Sequence, residues 1–228
     1  MSEELGELDV AKKGIEVAKK IKEVKTEKTQ AGEFMYKTEV GELVDSFDFN
    51  FVNAGSEHVA VTRKGKPEKV IALAYCDISP SEVKRYFYRQ RILEALFPHN
   101  FPHFSLAFSV EDETGWHHSG SIRQKVDELE VGLEGEIEYP FEEVKETCKA
   151  LSLPVRFDEK TKENVIVGAD GGEYYVDTIG YKFPGKWDVE KIMKYMEKAK
   201  NKEGRPRHGE VDKRMVRKSI DRLEALEG

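Results

Sequence analysis

Residues 164–177 read NVIVGADGGEYYVD, two short apolar runs on either side of a turn that is mostly glycine. The pattern predicts a β-hairpin. Asn164 comes immediately before the first strand and Asp177 ends the second, so an amide oxygen and a carboxylate meet at one end of the ladder. Mg²⁺ selects such hard oxygen ligands and leaves the rest of its octahedron to nucleotide phosphates and water. The hairpin therefore predicts a magnesium site, although both residue types are also common as turn and cap residues.

Three strands are predicted in the N-terminal half of the chain. Aromatic and polar residues alternate over 47–51, and apolar runs follow at 59–61 and 70–75. Turns that contain glycine, at 53–56 and 64–67, separate the runs and favour an antiparallel meander. A fourth strand is expected at 104–108.

Apolar spacing and capping residues predict the helices. Residues 10–28 repeat apolar side chains at helical intervals. SPSE at 79–82 supplies an N-cap serine, a proline at the first helical position and a glutamate that can close a capping box. We expect that helix to end before Pro98, with Arg89, Leu93 and Leu96 on one stripe. Further helices are predicted at 140–153, 187–200 and 210–226.

An acidic segment separates the two halves of the chain. Between Glu111 and Glu146 there are twelve acidic residues and only three basic ones, Arg123, Lys125 and Lys145. Glycines interrupt the segment repeatedly, so we expect an acidic connector without regular structure.

The segment DEKTKENVIV at 158–167, followed by Asp177, resembles the catalytic loop and metal-binding strand pair of the protein-kinase-like fold. In protein kinases an HRD motif is followed by several residues, an asparagine, a hairpin and DFG. Here RFD at 156–158 stands in place of HRD, and the asparagine-to-aspartate spacing is that of the family. The resemblance implies that Asp158 orients or deprotonates the accepting hydroxyl and that Asn164 and Asp177 bind metal.

The N-terminal half resembles the smaller lobe of the same fold. NAGSEH at 53–58 is similar to a reduced glycine-rich loop, so backbone groups near Gly55 and Ser56 would cover the phosphates. The resemblance spans about residues 47–200 and implies ATP and Mg²⁺ as cofactors. It also implies an α+β, two-lobed fold, with a helical extension at 1–46, a nucleotide-binding sheet and helix at 47–110, and a reduced, mainly helical lobe at 111–228.

The chain departs from the kinase pattern on the third strand. Ala72 stands where a kinase has its phosphate-binding lysine, and Lys69, three residues away, would point to the opposite face of the strand. Arg89 occupies the helix position of that lysine's glutamate partner. We expect Arg89 to contact the α/β-phosphates, because a planar guanidinium donates bidentately. A solvated charge or a salt-bridge partner is the alternative for Arg89.

Two functions follow from these features. One is phosphoryl transfer from ATP to a hydroxyl of a protein or a small molecule. The other is a pseudokinase or nucleotide-binding interaction module, which would bind a protein through its N-terminal helix or its basic C-terminal segment. Nucleic-acid binding is a third and less favoured function, because the net charge is -7, although residues 181–228 contain 14 basic and 9 acidic residues.

Composition excludes several other classes. The chain has no apolar run that approaches the length of a membrane span and no secretory leader pattern, so we expect a soluble, cytoplasmic protein. Its abundance of Lys and Glu, with few amide side chains, is typical of thermophile proteins. Cys76 and Cys148 lie far apart in apolar stretches, so both are expected to be reduced core residues.

The histidines do not predict a metal centre. His99 and His103 are four residues apart, but neighbouring prolines prevent a continuous helix between them. His117 and His118 are expected in a polar loop. Hydrolase chemistry is also disfavoured, because the chain has no GxSxG motif and neither cysteine has a nearby histidine.

Overall fold

The computed structural model describes residues 2–31, 37–54, 58–74, 76–127, 141–155, 165–170, 172–175, 186–200 and 204–227. The chain forms two compact units. The first, here called the sheet unit, contains Met1–Lys84 and Phe104–Lys125, and the second, the helical unit, contains Arg85–His103 and Val126–Gly228. No helix within the described segments is long and apolar enough to cross a membrane.

The sheet unit is built on a five-stranded antiparallel sheet with the strand order β1-β2-β3-β5-β4. The predicted meander of three strands is confirmed, and so is the fourth strand. The strands are β1 (Phe49–Ala54), β2 (His58–Arg63), β3 (Lys66–Ala74), β4 (Phe104–Glu111) and β5 (His117–Gln124).

Two helices, α1 (Ser2–Gln30) and α2 (Lys37–Asp45), pack on this sheet. The first lies against β3, β4 and β5, and the second lies against β1. Val17 and Ile21 of α1 are fully buried in the same core as Leu73 of β3. The helix predicted at 10–28 is confirmed. The sequence did not predict α2, because a nine-residue helix with few buried positions has too few turns to show a clear period.

The prediction of an acidic connector from residue 111 is wrong in its first part, because β5 occupies 117–124 and pairs with both β3 and β4. Its sequence, HHSGSIRQ, contains only one large apolar residue, Ile122. Small residues are required here. A Cβ atom at Gly120 would lie 2.6 Å from Phe108 Cζ and 2.7 Å from the carbonyl oxygen of Ala72. The strand therefore lacks the β-branched pattern by which strands are predicted. The rest of the expected connector, at 128–140, lies outside the described residues.

The helical unit combines the greater part of one helix with three further helices and a two-stranded sheet. Its core contains Leu93, Leu96, Val144, Ile192 and Ile220. The elements are α3 (Pro80–Leu96, in this unit from Arg85 onward), α4 (Phe141–Leu151), β6 (Val165–Val167), β7 (Glu173–Tyr175), α5 (Val189–Lys198) and α6 (Glu210–Glu227). The α+β class and the helices predicted at 140–153, 187–200 and 210–226 are confirmed.

The start of α3 has the predicted cap. Ser79 Oγ accepts a hydrogen bond from the Glu82 backbone amide at 3.3 Å and donates to Glu82 Oε2 at 3.2 Å. A capping hydroxyl satisfies one of the amides that a helix leaves without a partner in its first turn. The cap therefore defines where α3 begins.

The two cysteines differ in environment. Cys148 is buried in the core of the helical unit, and burial raises the pKa of its thiol to about 12. Cys76 follows the buried run of β3 and is exposed, so the expectation that it fills the core is wrong.

We expect Gly120→Ala to lower the free energy of unfolding by about 1–3 kcal/mol, because an added methyl group overpacks a filled core. The ring of Phe108 can rotate away from the added methyl group. The Ala72 carbonyl is held in place by the central strand, β3, so its contact with the methyl group is harder to relieve. Urea denaturation measures the effect. Gly41→Ala in α2 is the matched control, because its Cβ would meet Phe51 at 3.5 Å, an ordinary contact. Equal stabilities of wild type and Gly120→Ala would contradict the close approach.

Candidate active site

The predicted hairpin is confirmed in the helical unit. Its two strands pair antiparallel, with Val165 opposite Tyr175 and Val167 opposite Glu173. The turn closes with a hydrogen bond from the Gly168 amide to the Gly172 carbonyl at 2.8 Å. Since the first residue of β6 is opposite the last residue of β7, the chain enters and leaves the ladder at the same end.

An aspartate and a tyrosine organise the turn of the hairpin. Asp170 Oδ2 accepts a hydrogen bond from the Tyr174 hydroxyl at 2.6 Å, and Asp170 Oδ1 accepts one from the Gly172 amide at 2.9 Å. The tyrosine hydroxyl holds the pKa of the Asp170 carboxyl below its ordinary value, and the carboxylate raises the pKa of Tyr174 to about 12. A Cβ at Gly168 would lie 2.8 Å from Tyr174 Cε2. The ring therefore lies across the turn, which is why the turn needs glycine.

Asn100, in the turn that follows α3, holds β7. Its backbone carbonyl oxygen accepts a hydrogen bond from the Tyr175 amide at 2.8 Å, and its side-chain Nδ2 donates one to the Glu173 carbonyl at 3.2 Å. The rings of Phe101 and Tyr175 lie 6.2 Å apart. The sequence did not predict this contact, although an asparagine between Phe97 and Phe101, just past the end of a helix, was a visible signal.

A further main-chain hydrogen bond reaches the tip of the hairpin. The Ala169 amide donates to the Asp127 carbonyl at 2.8 Å. Both the turn and the strand β7 are thus attached to neighbouring residues of the helical unit.

Five of the six predicted site residues lie outside the described residues. Asn164 comes one position before β6 and Asp177 two positions after β7. Asp158 precedes the hairpin, and Gly55 and Ser56 fall in the chain between β1 and β2. The roles assigned to these five residues stay predictions.

Arg89, the sixth, lies on the buried side of α3. Its exposed fraction is 8%, and Leu93 and Leu96 on the same stripe are fully buried. The alternative of a solvated charge is therefore wrong for Arg89. A guanidinium is costly to bury unless it is paired, so the environment of Arg89 must include groups that accept its hydrogen bonds.

The third strand carries small residues where the kinase pattern has a lysine. Ala72 is buried, and it is opposite Ala60 of β2 and Ser121 of β5. Lys69 is three residues away on β3, opposite Gln124. The odd spacing puts Lys69 and Ala72 on opposite faces of the strand.

Two histidines form separate contacts with carboxylates at one end of β5. His118 is buried, and its Nε2 lies 2.9 Å from Asp112 Oδ2, whereas His117 Nδ1 lies 2.9 Å from Asp77 Oδ1. The prediction that these histidines lie in a polar loop is wrong, because both belong to the strand. Within the described part of the chain, no group of three His, Cys, Asp or Glu side chains is arranged to hold a metal ion.

Asp112 is the centre of a polar network that joins α1 to the turn between β4 and β5. Its Oδ1 accepts from the Thr114 hydroxyl at 2.5 Å and from the backbone amides of Thr114 at 2.8 Å and Trp116 at 3.2 Å. Lys22 of α1 places its ammonium 3.7 Å from Asp112 Oδ2 and 3.9 Å from the centre of the Trp116 ring. The Thr114 hydroxyl, followed by His118, lowers the pKa of Asp112 far below its ordinary value. We assign a structural role to this network.

Comparison with known proteins identifies no family. No protein-family model matches the chain, and a search of the curated proteins finds no match. A co-crystal structure of WbdD with the kinase inhibitor LY294002 aligns at 16% identity and a TM-score of 0.35, over 65% of this chain and 37% of that one. A crystal structure of WbdD at 2.2 Å resolution aligns at 16% identity, a TM-score of 0.36 and the same coverage. The chain thus spans 37% of the length of these structures, and such TM-scores do not establish a shared fold.

We expect Asn100→Ala to lower the free energy of unfolding of the helical unit by about 0.5–1.5 kcal/mol, because the Glu173 carbonyl loses its side-chain donor. Amide hydrogen exchange at Tyr175 should become faster, while the sheet unit stays unchanged. Asn50→Ala, at an exposed position on β1, is the control. Unaltered exchange at Tyr175 in Asn100→Ala would show that the side chain does not hold the hairpin.

We expect Asp112→Asn to make the free energy of unfolding less sensitive to a fall in pH. The folded-state pKa of Asp112 is depressed, so its ionised form stabilises the protein above the unfolded-state value of 3.8, and this contribution is lost as pH falls toward the folded-state pKa. Urea denaturation at neutral pH and below pH 3.8 should show a smaller acid loss in the variant than in wild type. An identical acid loss in both proteins would contradict this assignment.

Proposed function

We propose that the chain is an ATP- and Mg²⁺-dependent phosphotransferase of the protein-kinase-like fold that phosphorylates a hydroxyl group of a protein or a small molecule. The hairpin β6–β7 is the observation that carries the proposal, because its register makes the chain enter and leave the ladder at one end. The element order also supports it. A three-stranded meander, the capped helix α3 and a fourth strand precede the hairpin, as the resemblance implies.

The residues around the hairpin suit a magnesium ion. An amide oxygen from Asn164 and a carboxylate from Asp177 form the kind of oxygen donor set that Mg²⁺ prefers. The hairpin between them is attached to neighbouring backbone through Asn100 and Ala169, which supports a site of constant geometry. When bound, the ion would neutralise negative charge on the nucleotide phosphates.

Asp158 would act on the acceptor. In the proposed reaction its carboxylate orients the acceptor hydroxyl and takes the hydroxyl proton, while the acceptor oxygen forms a bond to the γ-phosphorus. The bond from the γ-phosphorus to its bridging oxygen breaks, and ADP leaves with that electron pair. Such chemistry depends mainly on positioning and on stabilisation of charge.

Two further groups would hold the phosphates. We assign backbone groups at Gly55 and Ser56, in the connection between β1 and β2, to cover them. Arg89 would donate to the α/β-phosphates. The burial of Arg89 supports this role, because a guanidinium removed from water binds an anion more strongly than a solvated one does.

A nucleotide-binding interaction module is the second candidate function. The observation that favours it is Ala72, which has small neighbours at the point where a kinase carries its phosphate-binding lysine. Such a module would bind a protein partner through the N-terminal helix or the basic C-terminal segment. Since the apolar side of α1 lies in the core of the sheet unit, a partner of this helix would meet its charged side.

Aspartate substitutions test the phosphotransferase. With radiolabelled ATP and both protein and small-molecule acceptors, we expect Asp158→Asn to lose at least about 100-fold in turnover and still bind Mg-ATP. Asp177→Asn should lose both turnover and the thermal shift that Mg-ATP produces. Asp221→Asn, exposed on α6, is the control.

The wild-type protein separates the two candidates. Mg-ATP binding without turnover supports the interaction module, and the absence of any thermal shift with Mg-ATP contradicts both functions.

Arg89 substitutions test the phosphate contact. We expect Arg89→Gln to raise the KM for ATP by about tenfold or more and Arg89→Lys to have a smaller effect, because lysine keeps the charge but not the bidentate fork. Lys84→Gln, exposed one turn earlier on α3, is the control. Melting temperatures identify any loss of folding, since Arg89 is buried. An unchanged KM in a folded Arg89→Gln variant would exclude the contact.

A further inference from the structure

The strand β4 is an edge of the five-stranded sheet and has little of the usual protection of an edge. Its register irregularity lies at the start of the strand, between Phe104 and Leu106, and the pairing with β5 is regular from Leu106 to Glu111. It is eight residues long, reads FSLAFSVE, and carries no proline and no charge before Glu111. Natural sheets usually protect such edges with lysine, proline, bulges or short strands, because an exposed row of amides and carbonyls pairs readily with another strand.

Strand register shows which backbone groups face the open edge. The Lys125 amide donates to the Glu68 carbonyl of β3. In an antiparallel pair every second residue bonds to the same neighbouring strand, so Ser121 and Arg123 of β5 also bond to β3. The residues between them, including Gly120 and Ile122, therefore bond to β4.

On β4 itself, the partners of those residues are Leu106, Phe108 and Val110. Ala107 and Ser109 consequently direct their amides and carbonyls away from the sheet. Within the described residues, no backbone group bonds to these two on that side.

The side chains along this edge are apolar and incompletely covered. Val110 is 43% exposed, and Leu106 and Phe108 are only partly buried. The opposite edge of the sheet, β1, differs, because a bulge interrupts its register in the middle of the strand, between Phe51 and Asn53. Of the two edges that the described part of the sheet presents, β4 therefore offers the longer regular row of outward-facing backbone groups, from Leu106 to Glu111.

We infer that β4 pairs antiparallel with β4 of a second copy of this chain, about a two-fold axis at Phe108. Ala107 would then lie opposite Ser109 of the second copy, and the two residues would exchange two backbone hydrogen bonds. The two-fold axis generates a second, identical pair, so that these two pairs form four hydrogen bonds. This inference does not rest on the proposed phosphotransfer.

The strand is complementary to itself in this register. Phe108 lies opposite Phe108 of the second copy in a non-hydrogen-bonded pair. In this type of antiparallel pair the side chains are closer together, and aromatic side chains interact well. Leu106 of each copy lies opposite Val110 of the other and covers its exposed side chain. Glu111 lies opposite Ser105, so no like charges meet. These features favour a second copy over an unrelated strand as the occupant.

Analytical ultracentrifugation of the full chain from about 1 µM to about 100 µM tests the inference. We expect a dimer whose dissociation constant rises at least about tenfold in Val110→Lys, because the pair with Leu106 occurs twice in each dimer. Val52→Lys on β1 is the matched control, because Val52 is 44% exposed and Val110 is 43% exposed. This control should leave the dissociation constant nearly unchanged.

A second variant acts on the backbone alone. Ala107→Pro removes an amide that points to the open edge, and proline is tolerated at such edge positions, so the variant should fold and lose the dimer. Circular dichroism melting confirms folding.

Three results would overturn the inference. They are a wild-type monomer at every concentration, an equal effect of Val110→Lys and Val52→Lys, and a monomer that instead binds a synthetic peptide of residues 104–111. The last result would assign the edge to an extended peptide.

Discussion

The candidate site depends on the hydrogen bonds between Asn100 and β7. Each strand of the hairpin has three residues, and so short a two-stranded ladder is not stable by itself in water. Its position is set by the turn after α3, where Asn100 accepts one hydrogen bond from β7 and donates another to it, and where Phe101 packs against Tyr175. The same helix carries Arg89. The residue proposed to bind phosphate and the hairpin proposed to hold the metal ligands are therefore positioned by one helix and the turn at its end.

The sheet unit depends on a close approach between backbones and side chains at its centre. Gly120 lets Phe108 and the Ala72 carbonyl approach, and Asp112 joins the neighbouring turn to α1 through Lys22 and Trp116. The two edges of the sheet are unequal, because a bulge interrupts β1 in its middle, whereas the irregularity of β4 lies at its start. This asymmetry gives the β4 edge its capacity to pair. It results from the pairing register of the strands and is not visible in the composition of β4.

Local signals predicted most elements of the fold correctly. The alternating aromatic residues indicated β1, the Ser79 cap indicated the start of α3, and the glycine turn indicated the hairpin. The failures have physical causes. Small and polar residues form β5 because the centre of the sheet has no room for larger ones, and α2 is too short to show a period. For the site, the sequence suggested the chemistry of the ligands, and the structure added the support of the hairpin and the burial of Arg89.

The amino-acid sequence alone determined the hairpin, the capped helix and the oxygen-bearing side chains that flank the hairpin, because each is encoded within a few neighbouring residues. Tertiary structure decided the central place of β5, the attachment of the hairpin to Asn100 and the burial of Arg89. These features join residues far apart in the chain. Their stability comes from close packing and from hydrogen bonds between distant backbone groups, which no local pattern of residues specifies.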